Sequence, residues 1–394
     1  MEAWRPWGNL PDNVLSSIAG LLRCRADRAH MARVNRHWRA STRALERPPH
    51  LPPQLPWLIF PDADAPAFYT AFTDSYHPCR LPAEVRAARW CGSADDGWLV
   101  LALAAPHAYA LYNLNSGGQR IDLPPGFRSD NNVESPLVLL AAALSASPSN
   151  GDDYMMAAIA LVDDRPTAAF WTPGRDSWFS TGGPLAAMPQ DVIHYQDAFF
   201  FVTPREELVK FRAAEGPNGG VVLRRENLSM RQRAGYNVDA RSIARLGRKK
   251  RYLVESGEDL LMVVRDIYYR EGTDLLRVFR LFVPAVINGY RRRSSWQEIF
   301  QLDGRMLFLG PGCSRSFEVA RYDGFQDHDS TIYFLDESFD SVPSEKRRYN
   351  FTDMGRYFMP ETQMAERQMT VEEWPPGTWP PTTDDDAPPT WWLH

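Results

Sequence analysis

The chain reads as a multidomain α plus all-β protein, a small N-terminal three-helix module followed by a β-propeller of about six or seven blades. Three observations predict this. Residues 7–45 carry apolar side chains at helical spacing, and residues 48–56 hold five prolines with neither helical nor strand pattern. From about residue 58 onward, short apolar runs alternate with turn signals and no long amphipathic helix intervenes.

Pro11 and Asp12 mark the start of the first helix, where the missing proline N–H has no intrahelical partner to lose. Val14, Leu15, Ile18, Leu21 and Leu22 then recur at steps of three and four, giving one apolar face. Asp27 is placed to cap a second short helix carrying Ala29 and Ala32. A third runs through Val34 and Trp38 toward Leu45, with Arg33, Arg36, Arg39 and Arg43 facing water. Three such helices enclose a very small core, so their apolar face must be buried against the rest of the chain or against a partner. The boundaries on this reading are 1–46 for the helical module, 47–57 for a stiff proline-rich linker, 58–371 for the propeller and 372–394 for a tail rich in Pro and Trp.

The strands come in turn-separated groups. Residues 98–103, 109–114 and 121–125 form one, broken by Pro106-His107 and by Asn115-Ser116-Gly117-Gly118. Residues 155–162 and 167–171 flank the turn Asp163-Asp164-Arg165-Pro166, and Trp178 follows Pro173-Gly174-Arg175-Asp176. Further runs lie at 192–195, 198–202 and 208–211, then at 252–254, 260–264 and 275–283 around Ser256-Gly257-Glu258-Asp259. The last are 296–302, 306–309, 331–335 and 349–352. Their span exceeds a single sandwich, and four-stranded blades of roughly 40–50 residues accommodate it. A tail with Trp374, Trp379, Trp391 and Trp392 is expected to dock on the β domain and help close its ring.

Composition narrows the class. Of 394 residues 44% are hydrophobic and 24% charged, as in soluble globular proteins, and 13 Trp, 15 Tyr and 20 Phe supply ample surface to bury. A net charge of −5 lacks the basic excess of a nucleic-acid binder, so no nucleic-acid partner is expected. The longest apolar run, 137–146, is far short of the ~20 residues of a membrane helix, and Met1, Glu2, Trp4 and Arg5 do not open a secretory signal. Cys24, Cys79, Cys91 and Cys313 are scattered without CxxC spacing, which fits reduced thiols of the cytosol or nucleus rather than a disulfide framework or a zinc site.

No catalytic motif stands out: there is no Walker loop, dinucleotide fingerprint, HExxH or nucleophile elbow, and no cofactor or metal is expected. Asp384-Asp385-Asp386 reads as a solvated acidic run rather than a cation site, because hard cations need several ligands in a preformed geometry. The sequons at Asn227 and Asn350 are chance matches without a secretory signal. The basic run 245–251, with Arg248, Lys249, Lys250 and Arg251, is a nuclear import signal, a patch for an anionic partner or a solvated loop before the strand at Tyr252; Arg291-Arg292-Arg293 is a weaker run of the same kind.

The opening segment resembles the F-box, a three-helix module that binds the adaptor Skp1. The matching residues are Leu10-Pro11-Asp12, Val14-Leu15, Ile18, Leu21-Leu22, Asp27, Val34, Arg36 and Trp38-Arg39, with Asn35 where the family usually has Cys, a polar amide at a packing position normally apolar. The remainder is similar to the propeller domain of the KIB-like plant family. That similarity is carried by the run from Tyr252 to Val263, by Phe279 and Trp296, and by Leu307-Phe308-Leu309-Gly310. Ser314 to Ser316, Ile332 to Asp336 and Pro388-Pro389-Thr390-Trp391-Trp392 complete it.

The resemblance implies a non-catalytic substrate receptor of an SCF-type (Skp1–cullin–F-box) ubiquitin ligase, nuclear and/or cytoplasmic. Leu10, Pro11, Val14, Leu15, Ile18, Leu21, Leu22, Val34 and Trp38 would then form the Skp1-binding set, with Trp38 chiefly holding the helices together. The propeller would bind an unidentified target. An apolar helical face that its own module cannot cover is what a groove-bearing partner uses. The other reading is a stand-alone propeller, ligand-binding or enzymatic, whose N-terminal helices pack on the β domain.

Overall fold

The computed structural model describes residues 7–45, 54–60, 66–71, 73–105, 107–129, 131–215, 221–231, 248–268, 272–285, 292–322, 324–335, 353–359, 371–373 and 390–393. The acidic run at Asp384, the sequon at Asn350, the 349–352 run, Arg291, residues 245–247 of the basic run, Trp374, Trp379 and the prolines at 48, 49, 52 and 53 lie outside the described residues.

Three helices open the chain: α1 (Asp12–Leu21), α2 (Arg25–Met31) and α3 (Arg36–Leu45). The Pro11 carbonyl accepts from the N–H groups of Val14 and Leu15, each at 3.0 Å, so α1 starts where the sequence places it. The second helix starts earlier than expected. Cys24 is its N-cap and Asp27 lies in its first turn, where a carboxylate suits the positive end of the helix dipole. Asn35 caps α3, its Oδ1 accepting from the Trp38 N–H at 2.9 Å, while its Nδ2 donates to the Gly8 carbonyl at 3.0 Å.

Six blades follow. Blade 1 holds β1 (Trp57–Phe60), β2 (Ala67–Thr70) and β3 (Ser75–Pro78), after which the short helix α4 (Ala83–Arg86) leads on. Leu55 is buried and Trp57 opens β1, so the proline-rich stretch gives way to the first blade one residue before the expected boundary. Blade 2 is the meander β4 (Arg89–Ala94), β5 (Trp98–Ala102), β6 (Tyr109–Asn113) and β7 (Gln119–Leu123). Blade 3 is β8 (Gly126–Arg128), β9 (Glu134–Leu144), β10 (Met156–Val162) and β11 (Arg165–Trp171).

Blade 4 is β12 (Asp191–Tyr195), β13 (Ala198–Val202), β14 (Leu208–Glu215) and β15 (Val221–Asn227). Blade 5 is β16 (Arg248–Ser256), β17 (Asp259–Tyr268), β18 (Gly272–Phe282) and β19 (Ser295–Ile299). Blade 6 departs from the meander. It holds β20 (Arg305–Leu309), β21 (Arg315–Glu318), β22 (Thr331–Phe334), β23 (Gly355–Phe358) and β24 (Val371–Glu373) in the order β21-β20-β22-β23-β24, with β20 and β22 parallel. The C-terminal strand β25 (Thr390–Trp392) pairs antiparallel with β1, setting Trp391 opposite Leu58 and Trp392 opposite Trp57. The two ends of the propeller are thereby stitched into one sheet.

The apolar runs are short and unbroken because each sheet is sandwiched between two others. Along β13, Phe199 and Phe201 join the core shared with blade 3, while Ala198, Phe200 and Val202 join the core shared with blade 5. The axis carries protein at one level. Glycine at 312, with φ +65, brings a turn of blade 6 so close to blade 3 that a Cβ would meet the Ala142 carbonyl oxygen at 2.4 Å. Its N–H donates to Asp191 Oδ1 of blade 4 at 2.8 Å. Asp191 is buried and also accepts from the N–H of Val192 and of Leu253, so one carboxylate ties blades 4, 5 and 6 around the centre.

Candidate functional site

Two surfaces of the fold are candidates: the helical module and the outer faces of the propeller. Within the module, Leu15, Ala19 and Met31 form a miniature core against which Leu10, Ile18, Leu22 and Trp38 pack. At about 100° per residue, Leu15, Ala19 and Leu22 occupy one edge of the α1 apolar arc and Val14 and Leu21 the other, with Ile18 between. The first edge is satisfied internally. The second is not: Val14 is 37% exposed and Leu21 79%, with Trp7 at 59% and Val34 at 56%. Pro11 is exposed at the head of the same helix.

The predicted adaptor-binding residues therefore divide. Pro11, Val14, Leu21 and Val34 reach the surface, and Leu10, Ile18, Leu22 and Trp38 are half-buried supports. Leu15, expected among the anchors, is wholly buried beneath them in the small core of the helices. Trp38 packs into the same small core, and its carbonyl accepts from Thr42 Oγ1 at 2.8 Å. Asn35 is no packing defect; its amide joins the 3-10 turn Trp7–Asn9 to the start of α3.

The module is also fastened to the propeller. Cys24 and Ala26 are buried in the core between blades 1 and 2, with Trp57, Ile59, Phe68, Val85, Trp90 and Trp392. Gln54 accepts from the Arg25 N–H at 2.9 Å and donates to the Arg23 carbonyl at 3.1 Å, and Arg25 Nη1 donates to Asn115 of blade 2 at 3.0 Å. Internal burial and an exposed face thus coexist, on α2 and α1 respectively.

The described part of the basic run, residues 248–251, is strand rather than loop. Residues 248–251 begin β16, where Arg248 is exposed, Lys249 and Lys250 half-buried and Arg251 buried. Arg251 donates to Gln190 Oε1 at 3.0 Å and lies 3.3 Å from the buried Glu206 carboxylate, and Lys249 Nζ is 3.0 Å from Asp266. On the propeller, a cleft of about 460 Å³ opens between blades 4 and 5, lined by Tyr195, Lys210, Glu226, Glu258, Asp259 and Arg292 among others. Tyr195 Oη donates to the Glu258 carbonyl at 2.5 Å across the blade boundary.

One further grouping escaped the sequence reading. Cys24, Asp27 and His77 place a thiol, a carboxylate and an imidazole within 4.8 Å of one another where α2 meets β3. The local signal is Cys24-x2-Asp27-x2-His30 on one helix; His77, some fifty residues on, joins only through the fold.

The family model described as KIB1-4 beta-propeller matches residues 68–358, from β2 to β23. The chain belongs to this propeller family. No curated protein matches it. Solved structures with similarity include BBS1N in complex with ARL6DN, at 12% identity, TM-score 0.30, 61% of this chain and 69% of that chain. A complex of S. cerevisiae Dbp5 with Nup159, Gle1, IP6 and ADP matches at 11% identity and TM-score 0.28, covering 64% of each chain. The propeller fold supports a protein-interaction domain, and both β1 and β25, which seal the ring, lie outside the matched span. Among the described residues no helix is long and apolar enough to cross a membrane.

Proposed function

We propose that this chain is the substrate-recognition subunit of an SCF-type ubiquitin ligase. Its N-terminal helices bind a Skp1-like adaptor, and through it a cullin, while the propeller holds a target protein. The observation that carries this reading is the divided arc of α1, whose inner edge is consumed by the module and whose outer edge, Val14 and Leu21, is offered to solvent. An amphipathic helix with an unpartnered apolar edge fits a hydrophobic groove. The chain itself performs no covalent chemistry on this account; it raises the effective concentration of target near a conjugating enzyme, in the nucleus or cytoplasm. Attachment of α2 to blades 1 and 2 supports the role, because a rigid joint sets the distance between adaptor and target.

The test is affinity capture with full-length chain against the Val14→Asp, Leu21→Asp double variant. Deleting the helices is unsuitable, since Cys24 and Ala26 fill part of a propeller core. The double variant should lose adaptor and cullin while retaining targets; equal recovery of adaptor by both baits would contradict the proposal. A second reading, a ligand-binding propeller with packed helices, is favoured by that same core contribution of α2 and by the cleft between blades 4 and 5. It predicts a monodisperse chain that ignores the adaptor.

A further inference from the structure

At the junction between the helical module and blade 1, three side chains with metal-ligating atoms meet. Cys24 is buried at the start of α2, Asp27 lies one turn further along, and His77 comes from β3, itself buried. One ligand atom from each falls within 4.8 Å of the other two. A tetrahedral zinc ion, with bonds of about 2.0–2.3 Å to S, N and O donors, holds its ligand atoms about 3.3–3.7 Å apart. The three donors therefore need about 1 Å of closure, within reach of side-chain torsions. The exposed His30 ring, one further turn along α2, lies outside this group, with its centroid 6.0 Å from that of His77.

The other three cysteines, Cys79 among them, offer a contrast. Cys91 and Cys313 are buried within blade cores, and no imidazole or carboxylate group with metal-ligand geometry includes them among the described residues. Around the His77 ring, Ser75 Oγ lies 3.3 Å from Nε2 and Phe68 stacks at 5.2 Å between centroids, contacts that fix the orientation of the imidazole.

We propose that Cys24, Asp27 and His77, completed by water, form a binding site for a zinc-type divalent transition metal that staples the helical module to blade 1. The donor set selects the metal: thiolate plus imidazole suits zinc and disfavours magnesium or calcium, which prefer all-oxygen cages. Binding converts the thiol to a metal thiolate and releases one proton to solvent, so that affinity falls as pH falls. Neither the propeller alone nor the helices alone contain the set. The staple thus fixes the helical module, and whatever it binds, in one orientation on the ring. This goes beyond adaptor recognition and stands or falls separately from it.

Cobalt is the probe, because a tetrahedral cobalt thiolate absorbs in the near ultraviolet and visible where zinc is silent. Full-length chain without a polyhistidine tag, stripped with chelator, is titrated with Co²⁺ under reducing conditions. Thiolate-to-cobalt and ligand-field bands should rise to one equivalent and be bleached by one equivalent of Zn²⁺. Cys24→Ser should remove the thiolate band, and His77→Gln and Asp27→Asn should each weaken cobalt binding at least tenfold with near-ultraviolet circular dichroism unchanged. A folded wild type that shows no band overturns the proposal, as does a thiolate band that survives Cys24→Ser. Should Cys24→Ser fail to fold, wild-type cobalt affinity in both His77→Gln and Asp27→Asn overturns it equally.

Discussion

Replacing Trp391 with alanine tests whether the ring is held by its C-terminal strand. Trp391 is completely buried, opposite Leu58 in the β1–β25 ladder and edge-on to Phe308 at 5.0 Å between centroids. Its Nε1 donates to the Leu309 carbonyl at 2.7 Å. Glycine at 310 makes room for it, since a Cβ there would sit 3.0 Å from the indole Cδ1. Truncating a buried tryptophan costs about 3–5 kcal/mol, and the orphaned carbonyl adds about 1 kcal/mol. For a propeller of about 300 residues unfolding cooperatively, with an entropy near 2.1 cal/mol/K per residue, the melting temperature falls by about 6–10 °C. Differential scanning calorimetry reads this directly. Trp7→Ala is the control, because Trp7 is 59% exposed and should leave Tm unchanged. A Trp391→Ala protein melting within about 2 °C of wild type would refute the idea that β25 closes the ring in solution.

Further perturbations address the rest of the fold. Asn35→Ala removes the α3 cap and should cost about 1 kcal/mol, read as faster amide exchange in α3 with the blades unaffected. Arg265 is fully buried and donates to Thr273, Tyr252, the Leu335 carbonyl and Asp353, so Arg265→Met leaves the Asp353 carboxylate without its ion pair. The expected loss is about 3–5 kcal/mol in a urea midpoint, and a loss below about 1 kcal/mol would speak against the network. Burial holds His194 and His328 below the ordinary histidine value, with Asp197 opposing the shift at His194 and Arg356 reinforcing it at His328. The unfolded chain then takes up protons first as pH falls through about 6.5, so the stability these neutral rings carry is present above that value and lost below it. The urea midpoint should drop from about pH 7.5 to about pH 5.5, and His194→Gln should shrink that drop.

Much of the propeller was legible because its strands are buried on both faces and so read as short continuous apolar runs, as at 198–202 and 260–264. The parallel pairing of β20 with β22 was not, since the β21 excursion between them has no local signature distinct from an ordinary turn. Arg251 misled for a related reason. A charged residue in a basic run reads as solvated, and its neutralising partner Glu206 sits on a neighbouring blade that local spacing cannot reveal. Asn35 looked like a polar intrusion at an apolar position, yet a short amide side chain is what a helix start requires there. Leu15 and Val14 are adjacent in sequence and 100° apart on the helix, so periodicity found the apolar arc without saying which edge the module keeps for itself. Cys24 and His77 belong to different units, and only the docking of α2 on blade 1 brings them together.

The central claim concerns the exposed edge of α1, and the most direct measurement is titration calorimetry of purified full-length chain with a purified Skp1-like adaptor. Burying a leucine is worth about 1.5–3 kcal/mol, and placing an aspartate in the same groove forfeits at least that much. The account predicts a one-to-one complex that Leu21→Asp weakens by about tenfold to more than a hundredfold, with circular dichroism unchanged because Leu21 is 79% exposed in the free chain. No detectable complex, or one of equal affinity with Leu21→Asp, would contradict it.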